Sequence, residues 1–205
     1  MNTKYIDEGY PLLYWAKLIE AICPKCAGVG VIRGKPDHRD WHASFMCGCC
    51  HHSLTSERDK WHGPLKAFGS RPCSRCGHQS VLVSLLFDQP SQITSKHGHA
   101  KCPECQSLNE IELSFSRTAP TDNAVDPFFG LELALKEPTR HGVVWAYSAP
   151  HLAELKAYIS AQHRISAQEK WSYFGRLPQW IKLSKNRQMV LKAISKLERR
   201  LTAYS

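Results

Sequence analysis

Apolar residues follow two rhythms along the chain: short runs punctuated by turn residues up to about residue 147, and a helical spacing beyond it. Residues 10–22 (Tyr-Pro-Leu-Leu-Tyr-Trp-Ala-Lys-Leu-Ile-Glu-Ala-Ile) fit a helical turn or a strand equally well. Residues 80–87 read as a strand. Residues 109–117 alternate, with Ile111, Leu113 and Phe115 turned inward, as a half-exposed strand does. Residues 131–135 alternate too, 143–147 are rich in β-formers, and the turn residues of 137–142 between them predict a two-stranded hairpin. Ser148 ahead of Pro150 is a helix start, followed by Leu152, Leu155 and Ile159 on one face. Ser166-Ala-Gln-Glu169 is a capping-box pattern for a second short helix. Leu177-Pro178 opens the last helix, which runs to about Leu201. At ~100° per residue Leu183, Val190, Ile194, Leu197 and Leu201 fall on one line, with Lys185, Lys192, Lys196 and Arg199 opposite. That basic stripe is a solvated surface or a contact surface.

Composition narrows the class. The chain has 205 residues, 42% hydrophobic and 22% charged, which excludes global disorder. At ~150 residues per domain it holds one domain or two small ones. The longest strongly apolar run, Val81-Leu-Val-Ser-Leu-Leu-Phe87, is far short of the ~20 residues of a membrane span, so no membrane partner is expected. Residues 1–8 lack a basic stretch leading into an apolar one, which implies no secretory leader and a cytoplasmic location. The formal charge of +9 is uneven: residues 149–205 carry eleven Lys/Arg against three Asp/Glu. Such an asymmetry points to an acidic partner, most often nucleic acid.

The cysteines change the picture most. There are nine, and eight form four pairs: Cys23-Pro-Lys-Cys26, Cys47-Gly-Cys-Cys50, Cys73-Ser-Arg-Cys76 and Cys102-Pro-Glu-Cys105. An odd count in Cys-x-x-Cys pairs is poor material for a disulfide framework and good material for metal ligation. Cys26 and Cys47 are separated by 20 residues, Cys76 and Cys102 by 25, so the region reads as a repeat of pair, strand, loop and pair. Zinc takes thiolates tetrahedrally, and a Cys-x-x-Cys turn brings two to one ion while backbone N–H groups face the sulfurs. Gly77 after Cys76, and Ala27-Gly28 after Cys26, permit that tight turn.

On these residues the chain resembles the zinc-ribbon class, in which two knuckles on two hairpins clasp one ion, as in transcription-factor-type ribbons. The resemblance covers roughly residues 20–118 and implies two Zn2+ per chain. Cys23, Cys26, Cys47 and Cys50 would hold the first, and Cys73, Cys76, Cys102 and Cys105 the second. Two alternatives stay open: Cys49 or His51 replaces a ligand, or the pairs are crossed, first with third and second with fourth. Trp145-Ala-Tyr with the helix after it, and Leu177-Pro-Gln-Trp-Ile-Lys-Leu-Ser-Lys-Asn-Arg187, resemble the tail of uncharacterised bacterial double-ribbon proteins, a likeness that implies no activity.

The expected fold is therefore α+β: two small four-cysteine zinc ribbons of short antiparallel hairpins, then a β-hairpin and a basic helical C-terminal module. The ribbon region spans 1–118, with ribbons at about 20–60 and 70–118, and the C-terminal module spans 119–205. Structural zinc supplies ~10–16 kcal/mol per site, which such a loop-rich segment needs. Closed all-cysteine sites leave no position for a catalytic water, so no enzyme is expected. No His-x-Glu precedes a Pro-Cys-x-x-Cys, and there is no His-Glu-x-x-His, phosphate loop or Gly-x-Ser-x-Gly. Asp37-His38 gives a zinc-stapled nuclease only a faint footing, because His38 lies nine positions before Cys47 and the downstream Asn is missing. His78, His97 and His99 read as surface or loop residues. Two non-enzymatic functions remain. The first is a nucleic-acid-binding accessory factor, with phosphate contacts from Lys182, Lys185, Arg187, Lys192, Lys196, Arg199 and Arg200 and base stacking on Trp180 or on Trp171 beside Arg176. The second is an adaptor or regulator docked on an acidic protein, such as a toxin, a polymerase subunit or a defence or mobile-element component.

Overall fold

A computed structural model describes residues 4–36, 41–57, 60–118, 124–167 and 171–204. The fold is α+β, with antiparallel strands in small sheets, a few helices and no barrel among the described residues. Packing divides the chain into two units: residues 1–60 together with 122–205, and residues 61–121.

The first unit opens with β1 (Lys4–Ile6), α1 (Leu12–Trp15) and β2 (Leu18–Ile22), so residues 10–22 hold both a helical turn and a strand. With β3 (Val29–Pro36), β4 (Trp41–Cys47) and β5 (Ser53–Thr55) the second strand forms an antiparallel sheet in the order β2-β3-β4-β5. Register places Ile19 opposite Ile32, Ile32 opposite Phe45 and Phe45 opposite Leu54. All four are buried, so one line of cross-strand pairs makes the apolar face. Gly30 beneath that line is obligatory, because a Cβ there would lie 2.4 Å from the Phe45 ring.

The second unit contains β6 (Leu65–Arg71), β7 (Val81–Phe87), β8 (His97–Lys101), β9 (Leu108–Glu112) and β10 (Ser114–Arg117). They form a sheet β10-β6-β7 and a pair β8-β9. The alternation over residues 109–117 is real, but the strand changes partner at Leu113: β9 pairs with β8, and β10 with β6. Ile111 and Leu113 are buried and Phe115 half-buried. The core is small, consisting of Ala67, Val81, Val83, Ile111 and Leu113 beside Cys73 and Cys102.

The chain then returns to the first unit. Phe128, Phe129, Leu131, Leu133 and Tyr147 cover the face made by Ile19, Ile32 and Phe45. The buried Asp126 carboxylate shapes this segment by accepting from the N–H groups of Phe128 and Phe129, both at 2.8 Å, and Leu131 at 2.5 Å. Burial pushes its pKa up to about 6, with the same N–H groups pulling the other way. The hairpin expected from residues 131–135 and 143–147 sits later in the first arm, as β11 (Lys136–Thr139) and β12 (Gly142–Trp145). Leu131, Leu133 and Leu135 are all buried instead, with an isolated bridge from Leu133 to Ala21 and the Ala146 N–H donating to the Leu135 carbonyl at 3.0 Å. Pro138 is tolerated in β11 because that strand has a single partner.

Ser148 precedes α2 (Ala149–Ser160), as the sequence predicts. β13 (His163–Ile165) pairs in parallel with β1. The capping-box pattern at 166–169 runs into residues outside those described; the next helices are α3 (Tyr173–Arg176) and α4 (Gln179–Lys182). The last helix is not continuous from Pro178. Leu183 is extended, a 3-10 turn covers Ser184–Asn186, and α5 (Arg187–Tyr204) follows. Asn186 donates to the carbonyl of Trp180 at 2.9 Å, satisfying the end of α4. Leu152, Leu155 and Ile159 of α2 pack with Val190, Ile194 and Leu197 of α5 in a second core cluster. No helix among the described residues is long and apolar enough to cross a membrane.

Candidate metal centres

Each Cys-x-x-Cys pair is the turn of a hairpin: β2 to β3, β4 to β5, β6 to β7 and β8 to β9. The four turns share one local build. The N–H of the leading cysteine donates to the carbonyl five residues on, Cys23 to Gly28, Cys47 to His52, Cys73 to His78 and Cys102 to Ser107, at 2.8–2.9 Å. The residue after the second cysteine is left-handed in every case: Ala27 (φ 58), His51 (φ 56), Gly77 (φ 74) and Gln106 (φ 60). Backbone N–H groups then point at sulfur, with Lys25 to Cys23, Cys49 to Cys47 and Arg75 to Cys73, each at 3.4 Å.

The turns meet in consecutive pairs. Cys23, Cys26, Cys47 and Cys50 form one cluster and Cys73, Cys76, Cys102 and Cys105 the other, with all sulfurs of a cluster within 4.8 Å of one another. Sulfur–sulfur separations are 3.8 Å for Cys23–Cys50 and 3.5 Å for Cys26–Cys47. Cys73–Cys105 and Cys76–Cys102 are each 3.6 Å apart. A disulfide needs ~2.05 Å. A tetrahedron of thiolates at ~2.3 Å from zinc has edges of about 3.8 Å. The donor set, the spacing and the N–H···S bonds fit a tetrahedral ion at both centres, consistent with two zinc ions; the ion's identity follows from its all-thiolate ligands. Cys50 takes the fourth place in the first cluster, while Cys49 lies beside Gly28, outside the ligand set.

The local electrostatics favour ionised sulfur at Cys47 in the first centre and at Cys73 and Cys105 in the second, even before a metal enters. The N–H of Cys50 pulls Cys47 down to about 6, and the Ser107 hydroxyl with the N–H groups of Cys76 and Arg75 pulls Cys73 down to about 5. Although the Gly28 N–H pulls Cys26 down and the His78 N–H pulls Cys76 down, their neighbouring thiols push both up to about 12. Four thiolates cannot crowd together uncompensated, and a divalent cation removes that repulsion. Zinc held by these eight thiolates would supply structural cross-linking.

Two residues around the second centre carried no signal in the sequence. Buried Asn109 donates to Cys73 Sγ at 3.7 Å and accepts from the Ser74 N–H at 2.9 Å. The Ser107 hydroxyl lies 3.3 Å from Cys73 Sγ and 3.0 Å from Cys105 Sγ. Such partners orient ligands and temper their charge.

The nominated basic residues divide into two groups. Lys196 and Arg200 both bind the buried Glu137 carboxylate, each at 2.5 Å. Arg187 donates to the Ala161 carbonyl at 3.1 Å and Lys182 to the Gly175 carbonyl at 3.0 Å. Lys185, Lys192 and Arg199 are exposed, and none is in an ion pair among the described residues. Trp180 is half-buried against Gly142 and the second core cluster. Trp171 is 65% exposed, with the Arg176 guanidinium 4.1 Å from its ring centroid. Glu137 likewise carried no signal in the sequence: as one acid in an expected turn it gave no hint of holding two cations.

No family model, no curated protein and no solved structure matches this chain.

Proposed function

We propose that the chain is a non-catalytic double zinc ribbon that serves as a nucleic-acid-binding accessory factor, gripping the phosphate backbone with cations of its C-terminal segment. The observation that carries this reading is the set of basic groups left over after internal pairing. Lys192 and Arg199 lie two turns apart on the exposed side of α5, Lys185 precedes them, and exposed Trp171 offers a flat ring already attractive to a guanidinium. The metal centres make this charge asymmetry sharper. Each zinc–tetrathiolate group carries two negative charges, so two of them lower the formal +9 to +5 while leaving the C-terminal surplus untouched. Closed thiolate centres leave no position for an activated water, which fits a binding role.

The test is affinity for labelled duplex DNA and single-stranded RNA across a salt series. With Lys196 and Arg200 engaged by Glu137, about three or four phosphate contacts remain, so log K should fall with a slope of roughly −3 against log salt. Lys192→Glu with Arg199→Glu should flatten it by about two. A response independent of salt overturns the reading.

One separate observation favours an adaptor instead. Phe68, Leu82 and Leu86 are exposed large apolar residues on β6 and β7. A stable, salt-insensitive complex with a purified protein partner, weakened by Leu82→Ser with Leu86→Ser, would support that role over the first.

A further inference from the structure

A second site lies away from both metal centres. Tyr5, Asp7, Glu8, Tyr10, Tyr14, Trp15, Glu154 and Phe174 line a cavity of about 230 Å³ in the first unit. We propose that this cavity binds the ammonium or guanidinium head group of an organic cation, with the carboxylates of Asp7, Glu8 and Glu154 as acceptors and the aromatic rings as walls for its alkyl stem.

Three observations converge. Among the described residues the lining holds three carboxylates and no Lys, Arg or His, in a chain of formal charge +9. None of the three carboxylates is in an ion pair among the described residues. Asp7 is only 8% exposed and, among the described residues, its partners are neutral donors, the Gly9 N–H at 2.9 Å and the Ser172 hydroxyl. A carboxylate so far from water and without a counter-charge is costly, and an entering cation relieves that cost. Glu154 accepts from the Tyr5 hydroxyl at 2.6 Å, which keeps one oxygen placed at the wall. Burial, with Glu154 beside it, raises the Tyr5 phenol pKa, so that hydroxyl stays a donor.

The walls suit the same ligand. Tyr10 and Tyr14 stack at 4.1 Å, and Lys17 Nζ already sits 4.8 Å from the Tyr14 ring centroid, so this aromatic pair attracts a cation. The volume lies below the ~300 Å³ at which pockets for drug-sized ligands begin, and so fits a side-chain-sized group. A lysine or arginine side chain of a peptide and a free polyamine carry the same head-group chemistry.

The experiment titrates the zinc-loaded full chain with n-butylammonium, n-butylguanidinium and, as an uncharged control with an apolar stem, n-pentanol. The Gly9 amide resonance serves as the readout because it donates to Asp7. The cations should shift it saturably and pentanol should not. Tyr14→Ala, at an exposed ring whose loss spares the fold, and Glu154→Gln should each weaken binding about tenfold, and Lys17→Gln should strengthen it by removing a like charge. An equal response to pentanol, no response to either cation up to about 50 mM, or unchanged affinity in both weakening variants overturns the proposal. Spermidine and a hexapeptide with one lysine then identify the source; whichever binds more tightly supports a cation site and names its natural form.

Discussion

Replacing Cys76 by Ser takes one ligand from the second metal centre and leaves the packing alone, because Cys76 is exposed whereas Cys73 and Cys102 are buried. The size of the effect follows from what else holds residues 61–121 together. Four buried side chains larger than alanine, Val81, Val83, Ile111 and Leu113, contribute roughly 6–12 kcal/mol at ~1.5–3 kcal/mol each. A structural zinc contributes ~10–16 kcal/mol. The metal is therefore at least the equal of the apolar core, and a unit this small has only ~3–5 kcal/mol of net stability to lose. Cys76→Ser should lower zinc from two ions per chain to one and unfold residues 61–121. The other unit keeps its own cores, and with them α2 and α5. Metal content by mass spectrometry, amide hydrogen exchange and far-ultraviolet circular dichroism read the three consequences separately. Exchange protection should vanish from β6 to β10 while the helical signal persists. Protected amides at Ala67 and Val83 in the one-zinc protein would refute the claim that zinc carries this unit.

Four further outcomes are expected. Gly77→Ala forces a Cβ into a left-handed turn and should cost about 1–2 kcal/mol in denaturant unfolding of the zinc-loaded protein, whereas Ala27→Gly should be neutral or slightly stabilising. His151 is fully buried and desolvation lowers its pKa to about 3, so its ring resonances should not titrate between pH 8 and 4. Because that pKa is depressed, its contribution to stability is present above about 6.5 and is lost as pH falls toward 3, and an inflection near neutrality would contradict the burial argument. Glu137→Gln should release Lys196 and Arg200, lowering the melting temperature while steepening the salt dependence of nucleic-acid binding by about one to two. Trp171→Ala should leave the melting temperature unchanged and weaken single-strand binding by ~1–3 kcal/mol, as measured by fluorescence anisotropy.

The metal ligands were legible because Cys-x-x-Cys spacing is a local property, and each pair proved to be one hairpin turn. The conformation of those turns was only partly legible. Gly77 and the small Ala27 ahead of Gly28 mark two of the left-handed positions, but His51 and Gln106 occupy the same region without a sequence signal, held there by the N–H and carbonyl pairings around each knuckle. Residues 10–22 were readable as apolar, but the face that β3 and β4 add to β2 was not, and nothing local said that Phe128 and Phe129, far along the chain from Phe45, would cover it. The alternation of residues 131–135 looked like strand because its leucines are buried at every second position. They are buried by packing, with isolated bridges from this segment to β2 and to Val125, and the regular ladder of the hairpin begins at Lys136. The amphipathic spacing of α5 held where Val190, Ile194 and Leu197 are fully buried and Lys196 is exposed, but it gave no sign that a long-range acid claims Lys196.

The discontinuity of the first unit has a consequence for how the molecule is made. Its two halves, 1–60 and 122–205, are separated in the chain by the whole of 61–121. At ~5–20 residues per second, a ribosome takes roughly 7–30 s to travel the ~145 residues from Lys60 to the end of the segment that carries α5. During that interval the first four-stranded sheet has its thiols and its hairpins but lacks, at first, the aromatic cover that Phe128 and Phe129 provide. The inserted unit is continuous in sequence, so it can capture its ion and close before the first unit is complete. The nascent chain thus passes through a stage in which both sets of four thiols are complete while an apolar sheet still waits for its cover. Limiting zinc should therefore appear as aggregation of newly made chains before it appears as loss of metal from mature ones.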